Sequence, residues 1–219
     1  MLLSCVALLP AAAFGENAPR SLPVLEALFR TVANAKDYSV TIDAHEVDGA
    51  RSDDRVLRFS FRKPNRAKME VVRGRGAGIR VIWNGGATVH IRGGLLSLLP
   101  VTLDLQDPRV TSLRGNTMLH AEFEPVLDCF LNHRNAVTER PGPRIDGRST
   151  VLITLERLGG IDCPGDVSRD RAVTKDVLTV VRASATVVRR ERYVDSAVVE
   201  RWSLRDLALN AGLTEKDFH

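Results

Sequence analysis

Between Tyr38 and Arg92 the chain repeats with a period of two. Tyr38, Val40, Ile42 and Ala44 alternate with Ser39, Thr41, Asp43 and His45, and Leu57, Phe59 and Phe61 alternate with Arg58, Ser60 and Arg62. Successive side chains on a strand point to opposite faces, so this pattern demands a sheet with one dry face and one wet face. It continues through Ala67, Met69 and Val71, a glycine-rich turn at Gly74 to Gly78, and two segments, Ile79 to Trp83 and Ala87 to Arg92, joined by Asn84-Gly85-Gly86. Asn-Gly between such segments is a strong hairpin signal. Turns are predicted at Asp48 to Asp54 and at Lys63-Pro64-Asn65.

Around this block the period changes. Leu22 to Ala35 places Leu22, Leu25, Leu28, Phe29 and Val32 at helical spacing, with Ser21 as the expected N-cap and Pro23 in the first turn. Leu95 to Leu105 is apolar with Pro100 inside it. Met118 to Leu131 is helical in spacing, with Thr117 as its cap, and Asn135 to Arg148 reads as a loop rich in Pro and Gly. Strands resume at Thr150 to Arg157, Val177 to Ala183, Thr186 to Tyr193 and Val198 to Leu209. The connections suit antiparallel meanders, and no βαβ rhythm is present. The expected class is α+β, mainly antiparallel β, with residues 22–218 as one domain. Its sheet is a curved half-barrel of about 9–11 strands, because a sheet that large curls to keep one face dry, and helices cover its open side.

The formal charge of +4 comes mostly from arginines spread along the chain with acids interleaved, and aromatic residues make up 5%. That excludes a dedicated nucleic-acid face. Residues 1–15 are apolar, uncharged and too short to span a bilayer, and Ala13-Phe14-Gly15 offers a cleavage site. They read as a signal-like segment of a periplasmic or otherwise exported protein. The lack of a basic residue ahead of the run points to a start codon upstream or an atypical signal; the alternative is a buried N-terminal helix. Cys5 precedes the apolar run rather than following it, which argues against a lipid anchor there. Cys129 and Cys163 then remain. In an oxidising compartment they suggest one disulfide, against the alternative of two separate buried thiols. Neither has a Cys-x-x-Cys partner and the histidines are scattered, so no metal or other cofactor is predicted.

Catalytic signatures are weak throughout. Arg73-Gly74-Arg75-Gly76-Ala77-Gly78 precedes a strand, whereas a phosphate loop needs a helix. Asp53-Asp54 and Asp104 with Asp107 suit turns and caps better than acid–base chemistry. Arg189-Arg190-Glu191-Arg192 alternates faces on a strand and reads as a solvated sheet face. No Gly-x-Ser-x-Gly elbow exists, and the protein is not expected to be an enzyme.

The segments Lys63 to Val72 (KPNRAKMEVV), Ile82 to Gly94 (IWNGGATVHIRGG) and Trp202 to Phe218 (WSLRDLALNAGLTEKDF) together resemble the LolA/LolB lipoprotein carriers. With the central LLPVTLDLQDP (Leu98 to Pro108), they are more similar still to a LolA-like family of exported bacterial proteins without an assigned function. The resemblance spans about residues 22 to 218. It implies an incomplete antiparallel barrel, plugged by helices, whose apolar cavity accepts acyl chains. In the carriers an arginine just before the proline ties down a helical lid. Here Lys63 holds that place, with a point charge on a flexible stem instead of a planar fork.

On this reading the cavity lining is Val40, Ile42, Leu57, Phe59, Phe61, Met69, Val71, Val81, Trp83, Val89 and Ile91 from the first block, and Val151, Ile153, Leu155, Trp202 and Leu204 from the second. The lid comprises Lys63, Leu95, Leu96, Leu98, Leu99 and Leu103. The alternative is that the same side chains form a closed, filled core. The function expected is a monomeric carrier whose partner is a lipid or lipoprotein acyl chain. The alternative is an envelope sensor or protein-interaction module of the same fold, with an envelope protein as partner and no lipid transport.

Overall fold

The computed structural model describes residues 21–93, 101–157, 161, 163 and 172–219. The lid positions Leu95, Leu96, Leu98 and Leu99 lie outside them, as does the signal-like segment. After helix α1 (Pro23–Ala33) come β1 (Asp37–Asp48), β2 (Arg51–Arg62), β3 (Arg66–Arg73), β4 (Arg80–Trp83), β5 (Thr88–Arg92) and β6 (Val101–Asp104). A 3-10 turn (Met118–Ala121) and helix α2 (Phe123–Asn132) follow. The chain then continues through β7 (Val137–Pro141), β8 (Thr150–Glu156), β9 (Lys175–Val181), β10 (Thr186–Val194) and β11 (Ala197–Leu209), and ends in a 3-10 turn at Glu215–Phe218.

All eleven strands form one antiparallel sheet in the order β6-β5-β4-β3-β2-β1-β11-β10-β9-β8-β7. Two meanders, β1 to β6 and β7 to β11, are therefore sewn together by pairing the first strand with the last. Edges β6 and β7 stay apart, so the curved sheet is open. The chain between those edges, residues 105–136, has to cross the open side, and it carries the 3-10 turn and α2 with it.

The alternation in β1 and β2 is obeyed in full: the two strands pair from Asp37↔Arg62 to Asp48↔Arg51. Strand β2 begins at Arg51, so the predicted turn at Asp48 to Asp54 shrinks to Gly49-Ala50, where Gly49 takes a positive φ. Beyond β3 the glycines are needed: a Cβ at Gly74 would run into the Asp54 carbonyl, and one at Gly93 into that of Gly78. The predicted loop at Asn135 to Arg148 contains β7, an edge strand pairing with β8 from Val137↔Leu155 to Pro141↔Val151. Its proline is tolerated because an edge strand has one side unpaired.

The inner face buries two clusters. In one, Leu25, Leu28 and Val32 of α1 and Leu127 and Phe130 of α2 pack on Val151, Ile153 and Leu155 of β8 and Leu178 and Val180 of β9. In the other, Tyr38, Val40, Phe59, Phe61, Ala67, Val81 and Val89 pack beneath Met118 and Ala121. Phe123 and Leu204 touch both. Each side chain of this size contributes about 1.5–3 kcal/mol when fully buried.

Ser21 is not the cap of α1. Leu22 holds the cap position, and no side chain caps it locally. The Leu25 amide instead donates to Glu139 Oε1 of β7 at 2.8 Å, so a tertiary contact satisfies a helix-end donor. The predicted helix at Met118 to Leu131 is broken at Glu122, whose extended backbone separates the 3-10 turn from α2.

Candidate functional site

Register places three rows of side chains across the middle of the inner face. The first runs Leu57–Ile42–Leu204 and the second Ala44–Trp202–Arg190–Leu178. The third runs Glu46–Glu200–Arg192–Asp176, four charged residues on four adjacent strands, all nearly inaccessible to solvent. Arg190 and Arg192 therefore point inward, and the predicted solvated face at Arg189 to Arg192 holds only for the alternate residues. Arg190 grips Asp176 with two bonds, Nε to Oδ1 at 3.2 Å and Nη2 to Oδ2 at 2.7 Å. Arg192 stands 3.8 Å from both Asp176 and Glu200. The crossing segment completes the set: Asn116 donates to Glu200 Oε2, and the Arg114 amide donates to Glu46 Oε2 at 3.2 Å. Burial pushes the Glu200 carboxyl up, with Arg192 opposing it and Glu46 adding to it.

Above the second and third rows lies a cavity of about 280 Å³. Helix α2 supplies Pro125, Val126, Cys129 and Phe130, the crossing segment supplies Leu105, Gln106, Thr117, Leu119, His120 and Glu122, and the sheet supplies Trp83, Asp176 and Arg190. The Cys129–Cys163 disulfide forms part of the wall, with Cα atoms 5.3 Å apart. A crevice of about 20 Å³ shares His120, Glu122, Val126 and Arg190 and reaches Ile42, Trp202 and Leu204. Another, of about 30 Å³, touches Leu57, Met69 and Trp202 beneath Val110 and Ser112.

The expected lining is thus divided. Trp83 faces the large cavity; Ile42, Leu57, Met69, Trp202 and Leu204 face crevices about the size of a water molecule. Val40, Phe59, Phe61, Val71, Val81 and Val89 pack in one core cluster, and Val151, Ile153 and Leu155 in the other. Ile91 is buried on β5, two residues along from Val89. Leu103 sits on edge strand β6 opposite Val89, not on a helical cover. Lys63 does join the covering helices: its Nζ donates to the last carbonyls of α1, Val32 at 3.2 Å and Ala33 at 2.8 Å, and to Glu124 Oε1 of α2 at 2.7 Å. A cation at a helix C-terminus is also favoured by the helix dipole.

Sequence reasoning missed the polar lining, Glu122 above all. Its Oε1 is buried without a hydrogen-bond partner among the described residues. Burial, reinforced by the charge of Glu124, pushes its carboxyl up to about 7. The signal available was an acid inside an apolar helical run. Thr117 Oγ1 lies 3.4 Å from His120 Nδ1, but that nitrogen also accepts the Thr117 backbone amide at 3.2 Å, a capping arrangement within one turn. The predicted local roles of Asp104 and Asp107 are seen directly: each accepts an amide two residues on, from Gln106 and Arg109. Among the described residues no three His, Cys, Asp or Glu side chains gather as a metal site, and no helix is long and apolar enough to cross a membrane.

No family model and no curated protein matches the chain. Among solved structures, an uncharacterized conserved protein from Thermus thermophilus aligns over 89% of this chain and 90% of its own, at 9% identity and a TM-score of 0.53, which shows a shared fold. A LolA superfamily protein from Nitrosomonas europaea covers 90% of this chain and 96% of its own at 13% identity, with a TM-score of 0.43. The lipoprotein LppX of Mycobacterium tuberculosis covers 89% and 99% at 14% identity, with a TM-score of 0.45.

Proposed function

We propose that this protein is an exported, LolA-like binding protein that holds one alkyl chain of a lipid or acylated peptide in the cavity beneath α2. The observation that carries the reading is the cavity itself: about 280 Å³, walled by Leu105, Leu119, Val126 and Phe130, on the open side of the sheet. Its volume stands near the lower end of ligand pockets, which favours a single chain over a bulky multi-chain anchor. Each buried CH₂ of a guest contributes about 0.8 kcal/mol, so a single chain of ordinary length suffices for binding. Lys63, tied to both helices, is the latch of the cover in this reading. The role in this reading is binding and carriage.

Native mass spectrometry of protein extracted without detergent is expected to show co-purified lipid. An acylated peptide is expected to raise the melting temperature of wild type but not of Val126→Trp, whose side chain fills the space. Absence of lipid together with no thermal gain overturns the reading. A second reading, a protein-interaction module of the same fold, draws support from the inner sheet face, which is filled by the protein's own side chains outside this cavity. A specific partner recovered from envelope extract by wild type and Val126→Trp alike would favour it.

A further inference from the structure

We propose that the alkyl chain taken by this cavity carries a primary amine, with the Glu122 carboxylate as the group that receives it. The inference rests on the cavity reading above and adds the chemistry of the guest's polar end. Four titratable side chains line the cavity: His120, Glu122, Asp176 and Arg190. Three are engaged within the protein. Asp176 and Arg190 neutralise one another through two hydrogen bonds. His120 accepts the Thr117 amide through Nδ1, which puts the neutral ring's proton on its buried Nε2, a donor and not an acceptor. Glu122 alone presents a buried oxygen with no donor among the described residues. The next acid along, Glu124, is already matched by Lys63 at 2.7 Å.

A buried acceptor without a donor is costly, and what it lacks is an N–H or O–H. An ammonium supplies both the donor and the missing positive charge, and a charge-assisted bond is roughly twice as strong as a neutral one. A hydroxyl supplies the donor only, and a carboxylate head would bring a second negative charge beside the first. The apolar residues of the same wall, Leu119, Val126 and Phe130, accept the chain behind the head.

The pH response follows from the groups around Glu122. Tyr38 of β1, whose oxygen accepts the Phe123 amide, is held neutral by burial. Glu124 adds negative charge from α2 and Lys63 offsets it; His120 faces from the 3-10 turn, and Asp176 and Arg190 face from the sheet as a neutral pair. With the Glu122 carboxyl poised at about 7, the acceptor is mostly protonated in mild acid and charged in mild base.

The test uses the full chain with three probes below their aggregation concentrations: dodecylamine, 1-dodecanol and dodecanoate. For wild type, dodecylamine affinity is expected to rise about tenfold from about pH 5.5 to about pH 8, where dodecylamine outbinds dodecanoate by about tenfold. Glu122→Gln is expected to abolish the rise, while His120→Asn, which removes the neighbouring imidazole, keeps it. Dodecanoate binding as tightly as dodecylamine at the higher pH, or a rise that survives Glu122→Gln, overturns the assignment. If dodecanol binds in either case, the cavity reading stands and only the head-group assignment falls. If none of the three probes binds, both fall. Should Glu122→Gln not fold, the ranking of the three probes on wild type decides the question alone.

Discussion

The two halves of the inner face are covered by different means. Over β7 to β10 lie two helices above an almost wholly aliphatic cluster; Glu26 of α1 pairs with Arg134, just past α2, at 2.8 Å, and Cys129 of α2 is bonded to Cys163, which lies between β8 and β9 in the chain. Over β1 to β5 lies an irregular segment with one 3-10 turn, above a cluster that holds Tyr38, Phe59 and Phe61 with ring centroids 5.5–6.4 Å apart. Helices satisfy their own backbone except at their ends, so between those ends apolar residues alone can hold them down. An irregular cover cannot, and it borrows polar partners from the sheet, as the Arg114 amide and Asn116 do from Glu46 and Glu200. The buried charges are the complement of an irregular lid, and the cavity lies on the seam where one kind of cover gives way to the other.

Removing the charge complement should hurt most. Arg192→Leu leaves Glu200 and part of Asp176 without their cation and should cost about 3–5 kcal/mol, read from the urea midpoint. A loss no greater than that of an ordinary surface substitution would show that the buried row does not hold the irregular half. The disulfide tests the other half. With Cys129 and Cys163 separated by 34 residues, replacing both with Ser should cost about 3–4 kcal/mol in the chain-entropy picture. Amide exchange should accelerate in α2 and leave β1 and β2 at their global rate; uniform acceleration would mean that the halves unfold as one.

The seam gives the smallest effect. The Glu122 carboxyl, ordinarily near 4.5, is raised to about 7 in the folded protein. Between those values the folded state binds more protons than the unfolded one, so stability falls as pH rises through that window. Glu122 is partly exposed, which reduces the effect to about 1–2 kcal/mol. Wild type should lose that amount relative to Glu122→Gln between about pH 4.5 and about pH 7. Parallel stability curves for the two proteins would show that Glu122 is solvated.

Much of the sheet is legible residue by residue. Strands β1, β2 and β3 announce themselves because each buries one face, which enforces alternation. Strand β7 does not, because Pro141 and Gly142 look like loop and a short edge strand carries little pattern of its own. Local sequence points to Ser21 as the cap of α1, whereas the acceptor that serves the helix end, Glu139, is 114 residues away from Leu25. The sequence places the cavity lining on the strands because their apolar faces are visible in it. Most of its wall comes from α2 and the crossing segment, with Trp83, Asp176 and Arg190 from the sheet, and no local period reveals which helix face looks into a void.

The chain by itself determined which residues share a face on the strands that alternate, because the pleat allows only two faces. It also pointed to an antiparallel sheet, because most neighbouring strands are joined by short turns. The tertiary structure decided that β1 pairs with β11. That pairing sets Glu46 beside Glu200, and through it Arg192 and Asp176, and it brings Arg190 under the same cover as Glu122. Whether an arginine on a strand meets water or a buried carboxylate depends on which strand lies next to it, and strand neighbours far apart in the chain are chosen by the packing of the whole sheet.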